Sequence, residues 1–183
     1  MDEEFIEYIC TAPCLALVGS GPSAECDLPT WRRLADQILE RLNKLSFDEK
    51  LLDPIEAAFG QENYPLMFDR ISRLPGGKAF LERNCAELLR TTDAVGTVYN
   101  EIVRLPFRAF FTTNFDDFLS KHLERGNVAP ICLKNSPGDL AKFDVDTLTG
   151  YVVKLHGDFD GNCSLVLTES QYEAICFSPE FNI

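Results

Sequence analysis

The chain has 183 residues, of which 45% are hydrophobic, and 17 basic against 29 acidic residues leave a formal net charge of −12. This length and apolar content suit one domain with a sizeable core. The negative charge repels phosphate backbones, which argues against direct nucleic-acid binding.

The beginning of the chain predicts a soluble, cytoplasmic protein. MDEEFIEYIC is acidic where a secretion signal is basic, and the apolar run at 13–18 is too short to span a bilayer. The seven cysteines include no C-x-x-C pair, so we expect small buried hydrophobes in a reducing compartment and no structural zinc site.

Strand-like and helix-like segments follow one another along the chain. After a short acidic helix, CLALVGSG predicts a buried strand that runs into glycines. The next segment, PTWRRLADQILERLNKL, predicts a helix with Thr30 at its N-cap position and with one apolar face. The residues of that face are Leu34, Ile38, Leu42 and Leu45.

The middle of the chain, from about 47 to 104, contains helical patterns and no convincing strand, which indicates a helical insertion. Strand signals return at FRAFFTT, APICL, YVVKLHG and SLVLT. A capping box formed by Thr168 and Gln171 predicts a final helix. We therefore expect an α/β fold, a Rossmann-like parallel sheet with a helical insertion and no zinc module, in one domain over 1–183. The FSPEFNI ending suggests the N-terminal part of a longer protein.

The glycine loop after the first strand is the first candidate site. Glycines between a strand and a helix allow a pyrophosphate to approach the backbone. The full G-x-G-x-x-G pattern is absent, since Glu25 stands at its last position, so a tight structural turn is the alternative.

The segment TTNFDD is the second candidate site. Ligands of open α/β sheets bind beyond the carboxyl ends of the strands, where Thr112, Thr113, Asn114 and Asp116 are expected. The alternative is that Asn114 or Asp116 only caps the following helix.

The third candidate is His156 in YVVKLHGD, after a strand that we predict to be otherwise apolar. An imidazole with a pKa near ~6.5 can act as a general base at neutral pH. The chain's other histidine, His122, lies in a charged helical stretch, and we expect it to be solvated.

Taken together, these motifs resemble those of sirtuins. The loop GSGPSAECDLPTWR is similar to the sirtuin cofactor loop at Gly19, Gly21, Ser23, Pro29 and Arg32. TTNFD is similar to the sirtuin T-Q-N-I-D, and LHG to the histidine-glycine pair of the family.

The chain also departs from the sirtuin pattern. Asp27 replaces a loop glycine, Thr30 an aspartate, and Trp31 the phenylalanine that lies over nicotinamide. The four-cysteine zinc module of deacylating sirtuins is missing. In these features, and in LPTW and LTESQYEAI, the chain resembles the zinc-free sirtuin-like domains of bacterial antiphage defence proteins, which hydrolyse NAD.

The resemblance implies a role for each matched residue. Asn114 would hold the nicotinamide ribose and a water, Asp116 would accept from the carboxamide, and His156 would bond a ribose hydroxyl or activate the water. The residues implied in binding NAD, the substrate, are Gly19, Ser20, Gly21, Ser23, Trp31, Arg32, Thr113 and Asp116. No metal is required.

The expected function is therefore that of an NAD glycohydrolase that releases nicotinamide and ADP-ribose in antiphage defence. The alternatives are a non-catalytic module that binds NAD or ADP-ribose as a sensor or assembly platform, and an NAD-dependent deacylase. The resemblance implies a sensor domain or partner protein outside this chain and a homo-oligomer, with no nucleic acid or membrane as a partner.

Overall fold

The computed structural model describes residues 3–12, 14–90, 92–142, 150–159 and 165–176. The strands within these ranges are β1 (Leu15–Val18), β2 (Ala109–Thr112), β3 (Ile131–Lys134) and β4 (Tyr151–Lys154). The helices are α1 (Glu3–Thr11), α2 (Gly21–Ala24), α3 (Trp31–Asn43), α4 (Glu49–Gly60), α5 (Tyr64–Ser72), α6 (Gly77–Leu88), α7 (Thr97–Ile102), α8 (Phe118–Arg125), α9 (Pro137–Leu140) and α10 (Glu169–Cys176). In the described part of the chain, no helix is long and apolar enough to cross a membrane.

The chain divides into two units. The sheet unit comprises Met1–Asp27 and Thr91–Ser164, and the helical unit comprises Leu28–Arg90 and Leu165–Ile183. The sheet unit holds all four strands, whereas α3 to α6 and α10 belong to the helical unit.

The four strands of the sheet unit are parallel and lie in the order β1-β2-β4-β3. Their register is level, since Val18 pairs with Thr112, Thr112 with Lys154, and Lys154 with Lys134. The carboxyl ends of β1, β2 and β4 therefore lie side by side at one edge of the sheet. The predicted α/β fold with a parallel sheet is confirmed.

The burial of the strands follows their place in the sheet. Phe110 in β2 and both Val152 and Val153 in β4 are buried, because central strands of a parallel sheet are covered on both faces. The edge strand β1 exposes Leu15 and Leu17. The central strands are thus the buried part of the sheet, and the polar loops follow directly from their ends.

The helical unit shows the predicted amphipathic pattern. Leu34, Ile38 and Leu42 of α3 are buried, whereas Leu45 lies beyond the last residue of α3 and is exposed. Thr30 stands at the N-cap of α3 without a side-chain hydrogen bond to the helix. The helical character predicted for about 47–104 is confirmed by α4 to α7.

The helix after the capping box also forms as predicted. The Gln171 N–H donates to Thr168 Oγ1 at 3.3 Å, and Thr168 N–H donates to Gln171 Oε1 at 2.9 Å. The strand predicted at SLVLT is wrong for residues 165–168, which form no strand. Val166 and Leu167 are buried without pairing in the sheet, so their apolar character reflects core packing.

The cysteines are less buried than expected. Cys26 and Cys85 are buried, but Cys10, Cys132 and Cys176 are exposed and Cys14 is half-buried. Cys163 lies outside the described residues.

Candidate functional site

The three sequence motifs come together at one edge of the sheet unit. Gly19 follows the last residue of β1, while Asn114 and His156 each lie two residues beyond the paired ends of β2 and β4. The Leu155 N–H donates to Thr112 O at 2.8 Å, so the pairing of β2 and β4 extends into the loops. The sheet order makes these three loops direct neighbours.

The glycine loop is open toward its surroundings. Neither Gly19 nor Gly21 has a positive φ, and a Cβ added to either would meet no described atom within 4 Å. Neither backbone conformation nor crowding therefore requires glycine at these positions. This open space is what a ligand that contacts the backbone needs, and it argues against the tight-turn alternative.

Asp27, at the end of the same loop, has the left-handed conformation with a φ of 63°. Glycine adopts this conformation without steric cost, and aspartate is one of the few other residues that tolerate it. The resemblance places a glycine at this position. The backbone at position 27 therefore has the conformation that favours glycine, although the residue there is aspartate.

Asn114 ties the loop after β2 to the glycine loop. Its side chain is 6% exposed, and Nδ2 lies 2.8 Å from Gly19 O, 3.1 Å from Ser23 Oγ and 3.2 Å from the Tyr99 hydroxyl. Because a main-chain carbonyl only accepts hydrogen bonds, the nitrogen of the amide must face Gly19. Oδ1 then lies on the other side of the amide group, where it can accept a hydrogen bond from a hydroxyl or a water.

A buried polar cluster fixes this asparagine. The Ser23 hydroxyl donates to Asp116 Oδ2 at 2.8 Å and lies 2.7 Å from the Tyr99 hydroxyl. Since the serine has only one proton to donate, the tyrosine hydroxyl donates to Ser23 Oγ. Tyr99 is fully buried, and sequence analysis did not identify it as a site residue. The residues around Tyr99 in α7 give no sign of this role, because its partner Ser23 is 76 residues away along the chain.

Asp116 both joins the cluster and contacts the start of α8. Its Oδ1 accepts from the Phe118 N–H at 3.1 Å, so it satisfies the first N–H of α8, although Asp117 occupies the N-cap position. Burial raises the pKa of Asp116, while the hydrogen bonds from Ser23 and Phe118 act in the opposite direction. Burial, followed by the nearby Asp116 carboxyl, also raises the pKa of Tyr99. The Tyr99 hydroxyl therefore stays protonated and remains a donor.

His156 is half-buried and lies at the start of the loop after β4. Burial lowers the pKa of His156 to about 4, and a hydrogen bond with the Thr113 backbone opposes part of that effect. Its imidazole is therefore neutral at physiological pH and has a lone pair to offer. The next residue, Gly157, has a φ of 72°, a conformation that favours glycine.

A charged network lies beside these loops and was missed by sequence analysis. Lys154 of β4 is 3% exposed, and its Nζ donates to Phe115 O at 3.1 Å and to Asp117 Oδ1 at 2.5 Å. Asp158 lies 3.6 Å from the same ammonium group and accepts from Lys134 at 2.8 Å. The description of β4 as otherwise apolar was wrong. A lysine in an apolar strand, followed by aspartate four residues on, was the available signal.

Two predicted binding residues belong to the helical unit. The Trp31 ring lies 6.0 Å from the Phe68 ring, which is the core-packing alternative for this residue. Arg32 is exposed and pairs with Glu62 at 2.6 Å. The predicted residues Gly19, Ser20, Gly21, Ser23, Thr113, Asn114, Asp116 and His156 all lie in the sheet unit.

Within the described ranges, no group of three or more His, Cys, Asp or Glu side chains is arranged to hold a metal ion. The functional groups present at this edge of the sheet are an oriented amide, a buried carboxyl, a buried hydroxyl pair and a neutral imidazole.

Comparison with known proteins supports the resemblance. A family model described as "SIR2-like domain" matches residues 108–182, which include Asn114, Asp116 and His156 but make up less than half of the chain. No curated protein matches the sequence. The chain is thus similar to SIR2-like domains from β2 onward, and this similarity indicates a function related to NAD.

Proposed function

We propose that this chain hydrolyses NAD to nicotinamide and ADP-ribose, and that it does so as the NAD-depleting effector of an antiphage defence system. The observation that carries the proposal is the hydrogen bond from Asn114 Nδ2 to Gly19 O. It joins an oriented amide to a glycine loop that is open to a ligand. The match to SIR2-like domains supports NAD as that ligand.

The glycine loop would hold the pyrophosphate. With no Cβ at Gly19 or Gly21, phosphate oxygens can come within hydrogen-bonding distance of the backbone N–H groups of residues 19–21. Ser23 is turned toward Asp116, so we assign it to the support of the loop and of Asn114. Thr113 would contribute through its backbone, which orients His156.

Asn114 would act on the ribose and the attacking water. Its nitrogen is occupied with Gly19, Ser23 and Tyr99, so Oδ1 is the atom that faces substrate. An acceptor there can hold a ribose hydroxyl or orient a water toward the anomeric carbon. We assign Asp116 to the carboxamide of nicotinamide, because each carboxyl oxygen has a second lone pair beyond the hydrogen bonds from Ser23 and Phe118.

The reaction needs little acid or base assistance. The bond between the anomeric carbon and the pyridinium nitrogen breaks, and its electron pair neutralises the departing nicotinamide. The anomeric centre passes through an oxocarbenium-like state, and the water oxygen bonds to it. The water proton leaves to His156 or to solvent. A neutral His156 is available for this step at physiological pH, although a base with a pKa near 4 is a weak one.

That weak base favours one other function, a module that binds NAD or ADP-ribose without turnover. In that case the same oriented amide and open loop would serve recognition alone. A single measurement, the release of nicotinamide from NAD, distinguishes the two functions.

The test is nicotinamide release from NAD by the longest natural form of the protein, followed by liquid chromatography. We expect turnover in the parent and its loss in both Asn114→Ala and His156→Ala, with Asn43→Ala as a control on the exposed end of α3. Turnover that survives both site substitutions would contradict the hydrolase. Binding of NAD without release of nicotinamide would support the alternative function, a module that binds NAD or ADP-ribose without turnover. For the defence role, cellular NAD should fall after phage infection in cells that carry the parent and not in cells that carry His156→Ala.

A further inference from the structure

A second candidate site lies in the sheet unit, in a cavity between α7, α8 and the turn after α8. Its volume is about 300 Å³, which is at the lower end of the range for small-molecule sites. Val103, Leu123 and Val128 provide apolar lining, and Arg104 and Arg125 add two guanidinium groups. None of these residues belongs to the three loops of the NAD site.

The cavity also has a buried histidine in its wall. His122 is 1% exposed, so the expectation that it is solvated was wrong. Its Nδ1 lies 2.6 Å from Phe118 O, which requires a proton on that nitrogen. In the neutral tautomer, Nε2 is then an acceptor, and it makes no hydrogen bond to the described residues. A buried acceptor without a donor lowers stability, and a ligand O–H that reaches Nε2 from the cavity would remove this cost.

The two arginines are free to turn toward a ligand. Arg104 is 72% exposed and pairs only with Glu101 on the same helical surface, at 2.8 Å, among the described residues. An exposed pair of this kind contributes little to stability. Arg125 donates to Asp93 O across a long 3.4 Å. Guanidinium groups bind phosphate with two parallel hydrogen bonds, so the pair favours a phosphate over a neutral ligand.

We propose that this cavity binds a small phosphate that also carries an O–H donor, either acid phosphate itself or a sugar phosphate. The phosphate oxygens accept from Arg104 and Arg125, and the O–H donates to Nε2 of His122. The donor requirement separates this ligand from sulfate, which has the same shape and no proton to donate at neutral pH.

The cavity is connected to the NAD site through one side chain. The Tyr99 ring stacks on the His122 ring at 5.1 Å, and the Tyr99 hydroxyl bonds Ser23 and Asn114. A ligand on His122 therefore lies one ring away from the asparagine of the first site. The binding proposal does not depend on this connection or on NAD hydrolysis.

The test uses the fact that the chain has only two histidines. Imidazole nitrogen signals of histidine-labelled protein are followed at pH 7.5, where hydrogen phosphate still carries an O–H, during titration with inorganic phosphate, ribose 5-phosphate or sulfate at constant ionic strength. His156→Gln assigns the two signals. We expect a saturable shift of His122 with a phosphate and a much smaller one with sulfate.

The variants test the arginines. Arg104→Gln combined with Arg125→Gln should weaken phosphate binding by roughly tenfold or more, because hydrogen bonds to charged groups are among the strongest. Arg108→Gln is the control, since Arg108 is an exposed arginine of the same unit outside the cavity. All three changed residues are exposed, so folding is not at risk.

Each outcome of the titration leads to a different conclusion about the ligand. Tighter binding of ribose 5-phosphate would assign the cavity to sugar phosphates, and equal binding of the two probes would assign it to free phosphate. No saturable shift of His122, an equal response to sulfate, or undiminished binding in the double variant would overturn the proposal.

Discussion

Asn114 donates its side-chain amide to the main-chain oxygen of Gly19 across 2.8 Å, and so joins two loops that are 95 residues apart in sequence. The bond determines which end of the amide faces the protein and which end faces a ligand. It also makes the site sensitive to the loss of a single N–H group, since a carbonyl oxygen cannot supply the missing proton.

The substitution Asn114→Asp should therefore destabilise the protein at pH 7, and part of the lost stability should return at lower pH. The introduced carboxylate would face Gly19 O, Ser23 and Tyr99 without N–H groups, and an unpaired buried charge costs about 3–5 kcal/mol. Protonation of the carboxyl would restore one donor. The measurement is the free energy of unfolding by denaturant at pH 7 and pH 5, with Asn43→Asp as the exposed control. An unchanged stability at pH 7 would contradict the role assigned to the amide.

Gly21→Ala should separate binding from folding. A methyl group at this position meets no described atom within 4 Å and lies in α2, so stability should stay within about 1 kcal/mol of the parent. If the loop contacts a pyrophosphate, the methyl group should weaken NAD binding by roughly tenfold or more.

Calorimetric titration with NAD measures this effect. Gly60→Ala is the matched control, because its added Cβ is equally free of contacts and lies at the end of α4 in the helical unit. Equal affinities of the parent and Gly21→Ala would show that the glycine loop does not approach the ligand.

His156 should make the protein less stable as the pH falls. Its pKa is about 4 in the folded protein and about 6.5 in the unfolded chain, so the unfolded chain binds the extra proton between these values. The stability from this group is fully present above pH 6.5 and is lost as the pH falls toward 4, by about 3 kcal/mol at most.

The measurement for His156 is the free energy of unfolding between pH 7.5 and 4.5 for the parent and for His156→Gln. The difference between the two proteins should change in this window and stay constant above pH 7, because all other groups titrate in both. Parallel curves throughout would show that burial does not depress the pKa of this histidine.

Lys154→Met should cost more stability than Lys134→Met. Lys154 is 3% exposed and satisfies Phe115 O and Asp117 as well as lying near Asp158, whereas Lys134 is 23% exposed on its side chain. We expect losses of about 3 and about 1 kcal/mol, respectively. Lys154→Met leaves the Phe115 carbonyl without its donor and Asp117 without its cation, whereas Asp158 still has Lys154 at 3.6 Å in Lys134→Met. Denaturant unfolding of both variants at pH 7 decides the matter, and equal losses would contradict a special role for Lys154.

The strands and the motif positions could be predicted because both depend on local pattern. β1 is apolar throughout, and β2 and β4 are apolar up to their last residues, Thr112 and Lys154. Polar loops follow all three strands, and parallel pairing brings such ends to one edge. The strand predicted at SLVLT was wrong for residues 165–168, because a short apolar run has the same appearance in a strand and in a buried loop.

The partners of the site residues could not be predicted, since they depend on contacts between distant parts of the chain. Tyr99 has the appearance of an ordinary helical residue until Ser23 and Asn114 are placed beside its hydroxyl. His122 stands among charged residues in sequence, but packing against Tyr99 and the bond to Phe118 O bury it. The sequence shows a lysine at position 154 of the strand, but it does not show that this lysine is buried or that it pairs with Asp117.

The parallel pairing of the strands has a consequence for the order in which the chain folds. The pairs β1–β2 and β2–β4 join segments far apart in sequence, with β1 and β2 separated by about ninety residues, whereas α4, α5 and α6 contact their neighbours along the chain. Closing such long loops is entropically costly and slow, so local helical contacts should form early and the sheet late. Since the candidate NAD site consists of three strand ends, it comes into existence only at that last step. A partly folded chain would contain helices and no candidate site, so any reaction proposed for this site would have to wait until the sheet is complete.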